Sequence, residues 1–216
     1  MAGAGGHIIL VAKLKGGSGA TTAARELASA VAAEGKTVAV IDLDGQGSLS
    51  RWWNRRSKDG DTRGIDLLTI SAEDIPGKVK GLRRKYDLVV IDSPPSVHET
   101  IRSVAACADL AVVPSRPTVD DLDAVGPVVR LIRGVTDIGF MLSQIPPGGR
   151  SRDGADALAL LASLAPVFGR TTYRVDYPRA ASIGSAAVET GGEAAKAEIG
   201  EFWKTIRERL TMPVAA

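Results

Sequence analysis

A single cysteine, Cys107, two histidines and an aromatic content of 4% are what this chain has least of. One thiol excludes an intramolecular disulfide, a CxxC redox pair and a four-thiolate zinc site, and it fits a reducing compartment. No apolar run approaches the roughly 20 residues that cross a bilayer as a helix. The opening stretch, Met1–His7, lacks the charged start and long apolar region of a signal peptide. Charge of one sign is scarce too: 27 Lys+Arg against 25 Asp+Glu leave a net charge of +2. Any nucleic-acid surface must then come from local clusters rather than from the total. A cytoplasmic protein is expected, not a secreted or membrane-integral one. What the chain does have is 216 residues, 44% of them hydrophobic, enough for one α/β domain with a buried core.

Short apolar, β-branched runs alternate with longer amphipathic ones. The runs predict strands at His7–Ala12, Thr37–Asp42, Asp66–Ile70, Leu88–Asp92, Leu110–Pro114 and Ile138–Ser143. Their near-continuous apolar character is that of parallel strands buried on both faces. Helical patterning falls at Thr21–Glu34, Ile75–Lys85, His98–Cys107, Val119–Arg133, Ala155–Leu164 and, last, Glu193–Leu210. Alternation of this kind implies βαβ units and a mostly parallel twisted sheet covered by helices on both sides. No internal repeat and no second domain is visible. A single domain with an ordered core over 7–210 is expected, with Met1–Gly6 and Met212–Ala216 as loose ends and Pro146–Gly154 as the one long turn-rich loop. In such a sheet ligands sit at the carboxyl ends of the strands, so the loops after Ala12, Asp42, Asp92, Pro114 and Ser143 are the ones to search.

The strongest local signal is Lys15-Gly16-Gly17-Ser18-Gly19-Ala20-Thr21-Thr22, between the first strand and the first helix. Glycines let backbone N–H groups turn inward around phosphate oxygens, and the helix N-terminus adds partial positive charge. Four small residues alone would read as a connector; the strand before, the helix after and the paired threonines point to a phosphate loop. It is not the standard GxxxxGK[ST] loop, because Leu14 stands at the first glycine and Ala20 at the lysine. Two more strand ends carry acidic residues: Ile41-Asp42-Leu43-Asp44-Gly45-Gln46-Gly47-Ser48, and Leu88–Pro95, reading LVVIDSPP. Taken singly, Asp44 and Asp92 also suit a strand-end turn or a helix cap.

Together, and in this order, the segments resemble the ParA/MinD family of P-loop ATPases, whose deviant Walker A motif reads KGGxGK[ST][ST]. The likeness runs from His7 to Leu210 and leans towards short plasmid-partition ParA proteins, since no DNA-binding domain precedes the first strand. The resemblance implies a P-loop NTPase three-layer α/β/α fold that takes ATP or ADP with Mg2+. Residue by residue, it implies that Lys15 reaches across an ATP-dependent homodimer to the partner's phosphates. Gly16, Gly17, Ser18, Gly19, Ala20, Thr21 and Thr22 would cradle the nucleotide, and Thr21 and Asp92 would hold magnesium. Asp44 matches the carboxylate that positions the attacking water, with Gly45 standing where the family has proline. Val112–Pro117, VVPSRP, resembles the segment beside the base and the dimer interface, which places Pro114 and Pro117 near the nucleotide. Tyr173–Gly184 followed by Glu189 resembles a late block of small ParA proteins.

The family's activity is ATP hydrolysis coupled to non-specific DNA binding on the bacterial nucleoid and to a small centromere-binding partner of the ParB/ParG kind. A plasmid or another cargo is thereby segregated or positioned. Ala20 departs from this pattern. Within the loop only Lys15 remains as a lysine, and losing one charged hydrogen bond costs about 1.5–3 kcal/mol, so binding and hydrolysis are expected to be impaired. Intact Lys15, Thr21, Asp44 and Asp92 favour a deliberate Lys-to-Ala change over natural decay into a pseudo-ATPase scaffold.

Other features carry two readings each. The clusters Arg51, Arg55, Arg56, Lys58, Arg63 and Lys78, Lys80, Arg83, Arg84, Lys85 are either solvated faces or DNA contacts. Arg174, Arg179, Lys196, Lys204 and Arg207 are interleaved with glutamates, which weakens their field. Ile199, Phe202, Trp203, Ile206 and Leu210 form a helical stripe, either a membrane-surface face of the MinD kind or, with Glu198, Glu201 and Glu208 beside it, a face packed on the domain. Trp52, Trp53 and Cys107 read as packing residues.

Overall fold

The computed structural model describes residues 5–13, 15–95, 98–148 and 152–211. In chain order the elements are β1 (His7–Val11), α1 (Ala20–Ala33), β2 (Val38–Asp42), α2 (Ser48–Arg56), β3 (Ile65–Leu68), α3 (Ile75–Lys85), β4 (Leu88–Asp92) and α4 (His98–Ala105). They continue as β5 (Leu110–Ser115), α5 (Val119–Ile132), β6 (Asp137–Ile145), α6 (Arg152–Leu164), β7 (Val167–Thr172), α7 (Asp176–Ser182), α8 (Ala187–Thr190) and α9 (Glu193–Thr211). Seven strands form one sheet in the order β3-β2-β4-β1-β5-β6-β7, and every pairing in it is parallel.

Strand residues alternate between two cores, one on each face. Ile9 and Val11 of β1 join Val90 of β4 and Val112 of β5 under α1, α2 and α9, where Leu27, Trp52, Phe202 and Ile206 close the layer. Ile8 and Leu10 face the other way with Val89, Ile91 and Phe140, under α3, α4, α5 and α6. Burial on both faces is why these strands read as unbroken apolar runs rather than as alternating ones. Ile199, Phe202 and Ile206 have no exposed surface, so the stripe on α9 is spent on packing. Trp52 is buried and its Nε1 donates to Ser185 O at 2.8 Å; Cys107 is half-buried.

Six strands and six helices were expected from the runs, close to the observed bounds. The seventh strand, β7, and the short helices α7 and α8 are additions. β7 carries Gly169 and exposed Arg170 and lies at the sheet edge, so it lacks the apolar continuity of a central strand. Gly169 is required there, since a Cβ would come within 2.7 Å of Phe202 Cβ.

Several charged groups inside the fold are matched with partners. Glu26, wholly buried in α1, accepts from the N–H groups of Ala187 (2.9 Å) and Val188 (3.0 Å) where α8 starts. Burial raises its pKa against those hydrogen bonds and the Arg25 charge. Arg56 meets Glu189 with both terminal nitrogens at 2.9 and 2.6 Å and lies over the Trp52 ring, tying α2 to α8. Asp109, ahead of β5, accepts from Ile8 N–H and from both terminal nitrogens of Arg83. Partial burial works against its charge, but His7, Arg83 and that N–H prevail and hold the carboxyl far below its usual range.

A carboxylate with a depressed folded-state pKa stabilises the fold above its unfolded pKa, and that contribution is lost as the pH falls towards the folded value. Asp109→Asn should therefore destabilise the protein by about 1–3 kcal/mol near neutral pH. In urea unfolding series at pH 7 and pH 3, the gap between variant and unchanged chain should shrink at the lower pH.

Candidate nucleotide-binding site

The sheet register assembles the site. β1, β4 and β2 lie side by side with Val11 opposite Asp92 and Asp92 opposite Asp42. Two residues beyond Val11 stands Lys13, and two beyond Asp42 stands Asp44, so all converge at the carboxyl edge. The loop after β1 then turns into α1 through glycines with left-handed backbone, Gly17 at φ 84° and Gly19 at φ 94°. A Cβ on Gly19 would come within 3.0 Å of Ser143 Oγ, whereas one on Gly16 meets nothing within 4 Å. Packing against β6 thus fixes one side of the loop and leaves the other open.

Strand β6 holds that packed side. Ser143 Oγ donates to Ser18 O at 2.6 Å, and Gln144 Nε2 donates to Gly17 O at 3.1 Å. Gln144 has φ 55°, a rare backbone state for a residue with a side chain. With loop carbonyls held by β6, the loop's amides are left for an anion. The first turn of α1 adds to this, because Gly19 precedes it with no side-chain cap and the helix dipole favours negative charge there.

Where the loop enters α1, Thr21 Oγ1 donates to Asp92 Oδ2 at 2.7 Å. Asp92 has no exposed surface, and burial pushes its pKa up to about 6 against the Lys13 charge and the Thr21 hydrogen bond. Asp44 accepts from Gln46 N–H at 2.9 Å and lies 2.9 Å from Lys13 Nζ. Burial works against its charge, and these contacts lower its pKa nonetheless. Asp42 is engaged structurally, accepting from Asp44 N–H and Ser50 N–H at 3.1 and 2.8 Å. The donor set of one hydroxyl and two carboxylates is hard oxygen only, and among the described residues no cluster of three His, Cys, Asp or Glu forms a closed metal cage. That pattern suits magnesium shared with phosphate oxygens and water. The loop and this donor set fit Mg-nucleotide.

The other expected residues fall into two groups. Lys15 Nζ faces Asp120 at 3.5 Å, an exposed pair of small energetic weight. Pro114 is buried in β5 and borders a narrow crevice with Lys13, Lys15 and Ser18. Pro117 lies just beyond, after Arg116, whose guanidinium pairs with Asp121 at 2.8 Å. Thr22 instead opens on a cavity of about 610 Å³ on the other side of the loop, shared with Gly19, Gln144, Tyr173, Tyr177 and Pro178. That volume is of the size that holds a drug-like ligand. The Tyr173–Gly184 segment supplies much of its wall.

Three residues at this edge have no counterpart in the motif reading: Lys13, Ser143 and Gln144. Ser143 and Gln144 look like ordinary polar residues ending a strand. Lys13 had a signal, since it breaks the apolar run of β1 two residues before Lys15.

A seven-stranded parallel sheet with a glycine loop leading from its central strand into a helix, and a Thr–Asp pair where that helix starts, is the architecture of the ParA/MinD class of P-loop proteins. The chain belongs to the family of the ATPase MipZ, whose model matches residues 7–152. It is 38% identical over 119 residues to a maintenance of carboxysome distribution protein A of Gloeobacter kilaueensis, a match covering 54% of this chain and 52% of that protein. The chain thus aligns with about half the length of this curated relative. Among solved structures it is similar to apo McdA of Cyanothece, with TM-score 0.80, 17% identity and coverage of 93% of this chain and 99% of that one. It is also similar to a septum site-determining protein MinD complexed with Mg-ADP from Pyrococcus horikoshii, with TM-score 0.73, 20% identity and coverage of 95% and 97%.

Gly19→Ala should cost about 1–3 kcal/mol, the usual scale of backbone strain at a left-handed position. Chemical denaturation of the nucleotide-free protein measures it. Gly16→Ala, with open space around the new methyl, should lie within about 1 kcal/mol of the unchanged chain.

Proposed function

We propose that this chain is a ParA-type positioning ATPase. It binds ATP with magnesium at residues 15–22, pairs as a homodimer and binds DNA without sequence preference. With a small partner of the ParB/ParG kind it distributes a plasmid or another cargo over the nucleoid. The observation that carries this reading is the Thr21–Asp92 hydrogen bond of 2.7 Å beside a loop whose outer side is open. When bound, Mg-ATP supplies the labile phosphoanhydride and the divalent charge that screens it.

The chain's own residues then divide the work. Amides of Gly16, Gly17, Ser18, Gly19 and Ala20 receive phosphate oxygens, and Thr21 and Asp92 hold the metal. Thr22 and the 610 Å³ cavity take the nucleoside, while Pro114 and Pro117 lie on the flank of Lys15, the side given to the second subunit. Asp44 orients water towards the terminal phosphate. A positioning role is favoured over a membrane-surface one, because the apolar stripe of α9 is buried. For DNA, the exposed Lys80 and Arg84, four residues apart on α3, are the best placed. Arg83, Lys78 and Lys85 are engaged by Asp109, Asp74 and Asp66, and Arg174, Lys196 and Lys204 by glutamates.

Thr21→Ala should abolish the magnesium dependence of ATP binding, read by calorimetry with and without the metal; unchanged dependence would remove the metal assignment. Asp44→Asn should keep ATP affinity within about threefold while phosphate release falls about 10²- to 10⁴-fold, the range for loss of a general base.

DNA binding should weaken steeply with salt through counterion release. Replacing Lys80 and Arg84 together with alanine should flatten that salt slope in a filter-binding titration. An unaltered slope places the DNA surface elsewhere.

A further inference from the structure

Position 20 carries a methyl group where a phosphate loop has its lysine, and Ala20 is itself buried. The site is nonetheless not without a second cation. Lys13 is 7% exposed, and its ammonium lies 2.9 Å from Asp44 Oδ2 and 3.3 Å from Asp92 Oδ1. Its backbone is fixed by an N–H to Ser93 Oγ hydrogen bond of 3.1 Å. Lys13 also borders the narrow crevice lined by Lys15, Ser18 and Pro114, so the residue adjoins the phosphate loop as well as the two carboxylates. From this placement we propose that Lys13 is the phosphate-facing lysine of this chain, supplying from the end of β1 the positive charge that Ala20 lacks. The inference rests on the reading of the loop as an ATP site.

Three physical points support it. Burying an ammonium costs several kcal/mol after relaxation, and its attraction to carboxylates offsets this only when the geometry is good. Here two carboxylates lie within 3.3 Å of the ammonium, so a charged lysine can be kept at the edge of the loop. Second, an ammonium has three donors. The two carboxylates engage two of them, and among the described residues no third acceptor is found, which leaves one N–H for an incoming oxygen. Third, a lysine head moves on a flexible four-carbon stem, so it can turn from Asp44 to a phosphate while its backbone stays fixed.

The opposing explanation is that Lys13 merely fills the place of a divalent cation between Asp44 and Asp92. It would then compete with magnesium rather than assist binding. The two accounts differ in sign. If Lys13 serves the phosphate, removing it weakens ATP binding; if it is a placeholder, removing it strengthens magnesium-dependent binding.

The test compares the unchanged chain, Lys13→Met, Ala20→Lys and the double change Lys13→Met with Ala20→Lys, using calorimetric titration with ATP and ADP in magnesium. Folding is verified by circular dichroism melts. Lys13→Met should weaken ATP binding about 10- to 100-fold, the loss of one charged hydrogen bond, and ADP binding by much less. Adding Ala20→Lys to Lys13→Met should restore ATP affinity to within about threefold of the unchanged chain. ATP affinity that is unaltered or improved in Lys13→Met overturns the inference. If the unchanged chain fails to bind ATP while Ala20→Lys binds it, Lys13 does not compensate, although the function proposed above survives. If neither binds, both readings fall. Should Lys13→Met not fold, because Asp44 and Asp92 are left facing each other, Lys13→Met with Asp44→Asn is compared with Asp44→Asn alone. The same fold-loss is then expected.

Discussion

The carboxylate of Asp92 has no exposed surface, and three parts of the chain reach it. It ends β4, receives the Thr21 hydroxyl from the first turn of α1, and lies beside the ammonium at the end of β1. A charge so enclosed must be fully engaged or it destabilises the fold. That requirement fixes the distance between the glycine loop and β4. The glycine loop, the open face of Gly16 and the turn bearing Asp44 all take their places relative to this one group. Burial pushes its pKa up to about 6 against the Lys13 charge and the Thr21 hydrogen bond, so both partners are needed to keep it charged.

How much of this was visible in the sequence varies along the chain. β1, β2, β4, β5 and β6 are unbroken apolar runs because both faces are buried, and they were placed to within a residue or two at most ends. β7 was not visible, since Gly169 and Arg170 interrupt it and its edge position asks for less apolar surface. Strand order was hidden as well. Nothing in the runs says that β4 lies between β1 and β2, yet that insertion brings Asp92, Asp44 and Lys13 together. Thr21 and Asp92 were singled out through the resemblance to the ParA/MinD motifs, and the fold brings their side chains to 2.7 Å. Lys13 was not, since a lysine closing an apolar strand looks like a residue turning to solvent until the neighbouring strands are in place.

Ala20 also takes on a different meaning once the sheet is built. In the sequence it marks an incomplete motif, and it invites the idea of an altered or decayed enzyme. In the fold a second ammonium, that of Lys13, lies at this edge 2.9 Å from Asp44, delivered by a different backbone position. Sites of this kind are defined by where charges meet, not by the segment that delivers them.

The turn bearing Asp44 is tied down at both ends and closed within. Asp42 accepts from Ser50 N–H, and Trp52 and Arg56 bind α2 to Ser185 and Glu189. Leu43 N–H donates to Asp92 O at 2.9 Å, Gln46 N–H to Asp44 Oδ1 at 2.9 Å and Gly47 N–H to Asp44 O at 2.8 Å, with Gly47 in a left-handed backbone at φ 62°. Leu43 thus hangs from the backbone of the residue whose side chain Thr21 holds. A displacement at the end of β4 would carry the turn and α2 along as one piece, and amide exchange at Leu43, Gln46 and Gly47 would be slow together.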